Sequence, residues 1–228
     1  MAKSSHRDIH NGPGVKRGLF KWVADKFSVL VSRVSFPGSA AYWDRRYKAY
    51  GSSGKGSYGA EARFKADFIN KFVVHHSIDS VIDFGCGDGA QLALLDLPTY
   101  LGLDVSDIAI GKCRTGFVED GAKKFLPLSE YSGQTADVAL SLDVVYHLVE
   151  DPVFEDYMDR LFGAANRFVI IYGTDYQSER PNNSVHVRHR EISNYCATKY
   201  PNFSQVREWV ATFGTPPEIR RFLVFRRV

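Results

Sequence analysis

The segment Val81-Ile82-Asp83-Phe84-Gly85-Cys86-Gly87-Asp88-Gly89 constrains the fold of this chain more than any other. Val81, Ile82 and Phe84 read as a buried strand, and three glycines at alternate positions follow it directly. Such a run demands a tight turn whose backbone, stripped of Cβ atoms, is approached closely by a partner. The next apolar run, Tyr100-Leu101-Gly102-Leu103, ends on Asp104. A carboxylate at the tip of a second strand can accept both hydroxyls of a ribose, so the pair of features predicts a nucleoside pocket at the carboxyl end of a parallel sheet.

The rest of the chain supplies that sheet. Short β-rich runs at 80–84, 100–103, 124–126, 136–142 and 167–172 alternate with helical spacing from residue 89, over 106–119 and over 153–162. Alternation of this kind predicts parallel strands with helices on both faces. The end differs: residues 206–213 and 220–228 read as two strands joined by Gly214-Thr215-Pro216-Pro217, an antiparallel hairpin. Ahead of the sheet, Phe64, Phe68, Ile69, Phe72 and Val73 mark a helix over 61–76. Tyr42, Trp43, Arg45, Arg46 and Tyr47 mark a shorter one over 40–50, and the glycine- and serine-rich run 51–59 between them reads as a lid-like loop carrying Tyr58.

The first eighteen residues are polar and basic and read as a flexible tail, followed over 20–34 by an amphipathic helix with Phe20, Val23, Phe27, Leu30 and Val31 on one face. The organisation is therefore a tail over 1–18, helices and lid loop over 19–59, and the main domain over 60–228. The amphipathic helix suits packing on that domain or on a second copy in a homodimer; its basic charge and Trp22 also suit a membrane surface. No run approaches the roughly 20 apolar residues of a membrane span, and the polar start lacks a signal core, so a cytoplasmic protein is expected. Three widely spaced cysteines, Cys86, Cys113 and Cys196, fit neither a disulfide framework nor a metal site, and a net charge of +3 does not by itself indicate nucleic acid.

Two kinds of nucleoside cofactor use a glycine turn of this type. A dinucleotide site requires a glycine at the sixth position, where this chain has Ala90, and its pyrophosphate would be opposed by Asp83 and Asp88. Those acids suit a ligand bearing an ammonium and a sulfonium. The run from Asp83 to Gly89 resembles motif I of class I S-adenosylmethionine (SAM)-dependent methyltransferases. Asp104 occupies the place of their ribose-binding acid, and Ala136 to Leu148 resembles their fourth strand and the loop after it.

The resemblance covers residues 61–228. It implies a Rossmann-like methyltransferase fold, α/β, with a seven-stranded mostly parallel sheet and a C-terminal antiparallel hairpin. It further implies SAM as cofactor, held by Asp83, Gly85, Cys86, Gly87, Asp88, Asp104 and Val105; Tyr58 on the lid loop suits its methionine part, and Asp143 at the tip of the fourth strand suits either the methionine ammonium or the substrate. One departure stands out: Phe125-Leu126-Pro127-Leu128-Ser129 lacks the acid with which many members hold the adenine amine, leaving a backbone contact near Phe125 or Leu126 as its substitute.

Methyl transfer to oxygen requires alignment and, where the acceptor is a hydroxyl, removal of its proton. His147, His186 and His189 are the candidate bases, with Tyr146 and Arg188 as candidate substrate contacts on the loops beyond the fourth and fifth strands. His186-x-x-His189 has no nearby acid or cysteine to complete a metal site. The aromatic run 42–47, the loop glycines and the His-Arg segment together resemble a bacterial subgroup of small methyltransferases associated with saccharide modification. That likeness implies O-methylation of a saccharide or phosphorylated metabolite. Rival expectations are RNA or protein methylation guided by the basic N-terminal segment, a non-catalytic SAM-binding module, and a nicotinamide dehydrogenase disfavoured by Ala90 and Asp88.

Overall fold

The computed structural model describes residues 36–177, 185–215 and 219–228. The basic tail, the amphipathic helix over 20–34 with any dimerisation through it, residues 178–184 of the polar loop and the Pro216-Pro217 turn lie outside the described residues. Pro37–Val228 form one compact unit. Among the described residues no helix is long and apolar enough to cross a membrane.

Five strands run parallel: β1 (Ser80–Phe84), β2 (Thr99–Asp104), β3 (Lys123–Pro127), β4 (Ala136–Leu142) and β5 (Ala165–Gly173). With β6 (Phe203–Gln205), β7 (Thr212–Phe213) and β8 (Arg220–Arg227), they form one sheet ordered β3-β2-β1-β4-β5-β8-β6, in which β7 also pairs with β8. Neighbouring residues point to opposite faces. Val81, Leu140, Ile170 and Phe222 pack beneath α2 (Gly59–His75), while Ile82, Ala139, Ile171 and Leu223 pack beneath α4 (Asp151–Ala164) and α5 (Ile192–Lys199). A strand buried on both faces has no polar positions to alternate, which is why β1 and β4 read as nearly continuous apolar runs. Two further helices, α1 (Ser39–Tyr50) and α3 (Asp107–Gly116), complete the domain. The expected mostly parallel sheet with an antiparallel end is thus present, with eight strands in place of seven.

Two local expectations change. The helix expected from Gly89 is replaced by turns and a single 3-10 turn over Leu92–Leu94. Few residues separate Gly89 from Pro98, and within them the Asp88 carboxylate accepts the Ala90 N–H while Gln91 turns inward to donate to the Ala62 carbonyl. The strand expected over 206–213 is interrupted: β6 and β7 pair with opposite ends of β8 along one edge. Between them the chain leaves the strand, and Trp209 packs edge-on against Phe68 and Phe72. An edge strand that bends its side chain onto the core in this way also blunts its own unpaired edge.

β1 lies between β2 and β4, so the strand order reverses there, with β2 and β3 added on one side and β4 and β5 on the other. A crevice at the carboxyl ends of the strands is the geometric result. Phe72, fully buried among Phe68, Phe168 and Trp209, ties α2 and the Trp209 segment to the sheet. Phe72→Ala is expected to lower stability by about 3–5 kcal/mol, read as a lower urea midpoint at unchanged slope.

Candidate active site

The glycine turn is compressed from three sides. Gly85, Gly87 and Gly89 have φ of 95°, 62° and 82°, a region other residues seldom enter. A methyl on Gly85 would stand 2.4 Å from Val144 Cγ2, and one on Gly87 would stand 2.3 Å from Ser53 Oγ. On Gly89 it would meet the Phe117 ring at 2.8 Å. Cys86 and Cys113 lie beneath the turn as free buried thiols, the latter donating to the Gly87 carbonyl at 3.2 Å.

The loop over 51–58 is fastened onto this turn by Asp88. Its carboxylate accepts the Ser53 N–H at 3.0 Å, the Ser53 hydroxyl at 2.7 Å and the Tyr58 hydroxyl at 2.8 Å. Lys112 adds a bond to the Gly51 carbonyl. Burial opposes ionisation of Asp88, but these donors outweigh it and hold the carboxyl below its usual range. The expected cofactor residues Asp88 and Tyr58 are therefore turned to each other and do not line the cavity described below, because the loop donors reach Asp88 first.

That cavity, of about 440 Å³, opens at the ends of β1, β2, β4 and β5. Asp83, Gly85, Cys86, Gly87, Asp104 and Val105 form one end of its wall. Asp104 accepts the Gly87 N–H at 3.0 Å and the Ser106 N–H at 2.9 Å, bonds that counter a burial which raises its pKa to about 6. Asp83 is raised to about 7, again chiefly by burial, and accepts the Tyr100 hydroxyl at 2.8 Å on Oδ2. Its Oδ1 is buried with no partner. Near β3 the wall is Leu128, and the Phe125 carbonyl, a candidate for adenine, is already taken by Arg114 at 2.8 Å.

Asp143 sits beyond β4 with φ of 61°, and four charged residues far apart in sequence meet there. Lys65, only 1% exposed, donates to Asp143 Oδ2 at 2.6 Å, and Tyr146 donates to Oδ1 at 2.8 Å. Arg220 stands 4.0 Å from the same carboxylate and pairs with Glu61, which also accepts the Tyr172 hydroxyl at 2.9 Å. Two acids and two bases thus balance inside the wall, each with a hydrogen-bonded partner, as buried charge requires. The signal for Lys65 was its position: it falls three and four residues from the buried Ala62 and Ile69, on the apolar stripe of α2.

Imidazoles and aromatic rings form the other end. His147, His186 and His189 line the cavity with Tyr42, Trp43 and Tyr146. His147 Nδ1 lies 3.0 Å from the His186 carbonyl, which can only accept, so Nδ1 carries the proton and Nε2 keeps a lone pair. Burial lowers the His147 pKa to about 4, and burial with the nearby Arg46 cation also lowers that of His186. His186 stacks on Tyr42 at 4.5 Å, and His189 Nδ1 meets the Thr174 hydroxyl at 2.7 Å. Arg188, expected at the substrate, is elsewhere. It pairs with Asp151 at 2.8 Å and donates to the Val149 carbonyl, pinning its loop beside the start of α4.

Asp88→Ala removes the clasp and is expected to speed tryptic cleavage at Lys55 by at least about tenfold, because the loop opens locally without global unfolding. The clasp is likewise expected to open in the wild-type protein as the pH falls below the ordinary carboxylate range, read as lost hydrogen-exchange protection of the Ser53 amide relative to its intrinsic rate: a depressed folded pKa stabilises above the unfolded value and that stabilisation is lost on acidification.

No protein-family model matches the chain, and no curated protein matches it. Solved structures do. Magnesium protoporphyrin IX methyltransferase from Synechocystis PCC 6803 with bound SAM is 17% identical, with 85% of this chain and 99% of that one covered at a TM-score of 0.62. The N-methyltransferase NodS from Bradyrhizobium japonicum WM9, in complex with S-adenosylhomocysteine, is 14% identical over 73% of this chain and 87% of that one, TM-score 0.60. An O-methyltransferase family protein from Burkholderia thailandensis is 15% identical over 93% and 70%, TM-score 0.60. What these likenesses establish is the architecture: the chain has the Rossmann-like methyltransferase fold.

Proposed function

We propose that this protein is a SAM-dependent methyltransferase that methylates an oxygen of a small polar acceptor, a saccharide or a phosphorylated derivative. The observation that carries the reading is Asp83 Oδ1, buried and unpartnered in the cavity wall beside Asp104 and the glycine turn. A buried carboxylate oxygen without a donor is costly, and a ligand that brings a donor or a positive charge removes the cost. Asp104 would hold the ribose hydroxyls, Gly85, Cys86 and Gly87 would pass along the nucleoside, and Asp83 would face the ammonium. When bound, SAM supplies a methyl group on a sulfonium, already an electrophile.

The chain's own residues then have to select and orient the acceptor. Tyr42, Trp43 and Tyr146 offer flat faces on which the apolar side of a sugar ring can pack, with hydroxyl and imidazole groups at their rims. His147 is the base in this reading: its tautomer is fixed by the His186 carbonyl, and its low pKa keeps Nε2 unprotonated throughout the physiological range. Asp143, with both oxygens engaged by Lys65 and Tyr146, is a positioning residue that holds the Tyr146 hydroxyl at the cavity wall. His189 is held by Thr174 and Arg188 by Asp151, which leaves the first at the rim and the second as a loop anchor.

Calorimetry with Asp83→Ala and Asp104→Ala is expected to show loss of SAM binding, and full affinity in both would overturn the site. Because folded Asp83 titrates near 7 and a cationic ligand favours its ionised form, wild-type affinity should rise with pH through about 7, with a dependence that Asp83→Asn flattens. In a coupled S-adenosylhomocysteine assay over sugars and phosphorylated sugars, His147→Ala should leave SAM affinity intact and slow transfer by about 10²–10⁴-fold. Unchanged turnover would mean that alignment alone suffices.

A further inference from the structure

We infer that Arg46 is the anion-binding determinant of the acceptor site, so that the acceptor carries a phosphate or carboxylate group. The inference rests on the methyltransferase reading of the cavity and deepens it. Arg46 lines the cavity from α1, yet among the described residues it has no carboxylate partner and donates no hydrogen bond. Its Nε is buried and unsatisfied. The other cations of the wall differ: Lys65 is paired with Asp143 and Arg220 with Glu61.

The Arg46 guanidinium is held in place without being neutralised. It lies 5.5 Å from the Trp43 ring centre and 5.9 Å from that of Tyr50, and Gly54, which has no Cβ, leaves it room under the loop. The helix that carries it is fixed to the domain by Ser39, whose N–H and hydroxyl both donate to Glu150. A preorganised, partly desolvated guanidinium with its donors unused binds phosphate or carboxylate through charge-assisted hydrogen bonds.

Its position favours the acceptor over the donor. The Trp43 ring over which Arg46 lies also meets the His147 ring edge-on at 4.8 Å, and the cation adds to the burial that chiefly lowers His147 and His186. An anion bound at Arg46 would cancel that field and raise the basicity of His147 when the acceptor arrives. Arg46 thereby serves specificity directly and tunes the base as a positioning residue.

The test uses the full chain, inorganic phosphate and acetate as probes, and histidine-detected NMR alongside calorimetry. With S-adenosylhomocysteine saturating, phosphate or acetate is expected to bind the wild type, and the preferred probe names the anion. Arg46→Gln should weaken that binding at least about tenfold, the loss of a hydrogen-bonded charge, while Arg46→Lys retains part of it. Arg207→Gln, an exposed residue outside the cavity, should match the wild type. The probe should also raise the pKa of His147 and His186 in the wild type and leave Arg46→Gln unmoved. Equal affinity in Arg46→Gln overturns the inference, as does displacement of the probe by S-adenosylhomocysteine, which would assign the cation to the donor's carboxylate. If S-adenosylhomocysteine itself fails to bind, the methyltransferase reading falls, and phosphate binding to the free protein still decides for or against Arg46. Arg46→Lys keeps the test valid if Arg46→Gln does not fold.

Discussion

Three glycines with no room for a Cβ hold this structure together, because each is met by a different part of the chain. Val144 from the loop after β4 presses on Gly85, Ser53 from the lid loop on Gly87, and Phe117 from the end of α3 on Gly89. One residue with a side chain at any of these points would force two elements apart, and all three points lie within five residues. The left-handed φ values carry a similar demand, so sterics and backbone conformation specify glycine twice over. The cavity exists because the backbone there is thin enough for three layers to converge without filling the space between the strand ends.

Charge burial is the second constraint, and it explains why the wall is organised as it is. Lys65 is buried against the partly buried Asp143, and leaving such a buried cation without its partner typically costs about 3–5 kcal/mol. Tyr146 and Arg220 bond or approach the same carboxylate, and Glu61 closes the network through Arg220 and Tyr172. The network spans the start of α2, the loop after β4 and the first residue of β8. Three segments far apart in sequence are therefore fixed to one another at the mouth of the cavity, where Gly56 approaches so closely that a methyl would stand 2.8 Å from Asp143 Oδ2.

Much of this was legible before any coordinates. The parallel strands, their order of appearance and the turn at 85–89 follow from apolar runs and glycines, which are local signals. The acids Asp83 and Asp104 were placed by their positions at strand tips, and both line the cavity. What sequence could not convey was competition. Asp88 and Arg188 are as polar and as near the site as the residues that line it, but Ser53 and Tyr58 claim the one and Asp151 claims the other. Likewise Phe125 offers a backbone carbonyl, and Arg114 occupies it. Lys65 is the converse: a lysine on an apolar helical stripe is informative only once a buried partner is suspected. The helix expected after Gly89 failed because helical spacing says nothing of how few residues separate the turn from Pro98.

The two ends of the cavity differ in sign, and that difference bears on how many ligands it suits. Asp83 and Asp104 lie at one end, raised in pKa by burial and so receptive to a positive or hydroxyl-bearing partner. Arg46 lies over Trp43, which meets His147, among imidazoles whose protonation is opposed chiefly by burial and further by this cation. A single neutral ligand would leave both ends electrostatically uncompensated in a partly desolvated space, where such imbalance is most expensive. Two ligands of opposite local charge laid end to end, or one ligand that carries both charges, compensate both. Burial more than charge keeps His147 neutral and weakly basic, so an anion beside Arg46 offsets only the smaller, electrostatic share of that shift and leaves the imidazole a base whose lone pair is free at neutral pH.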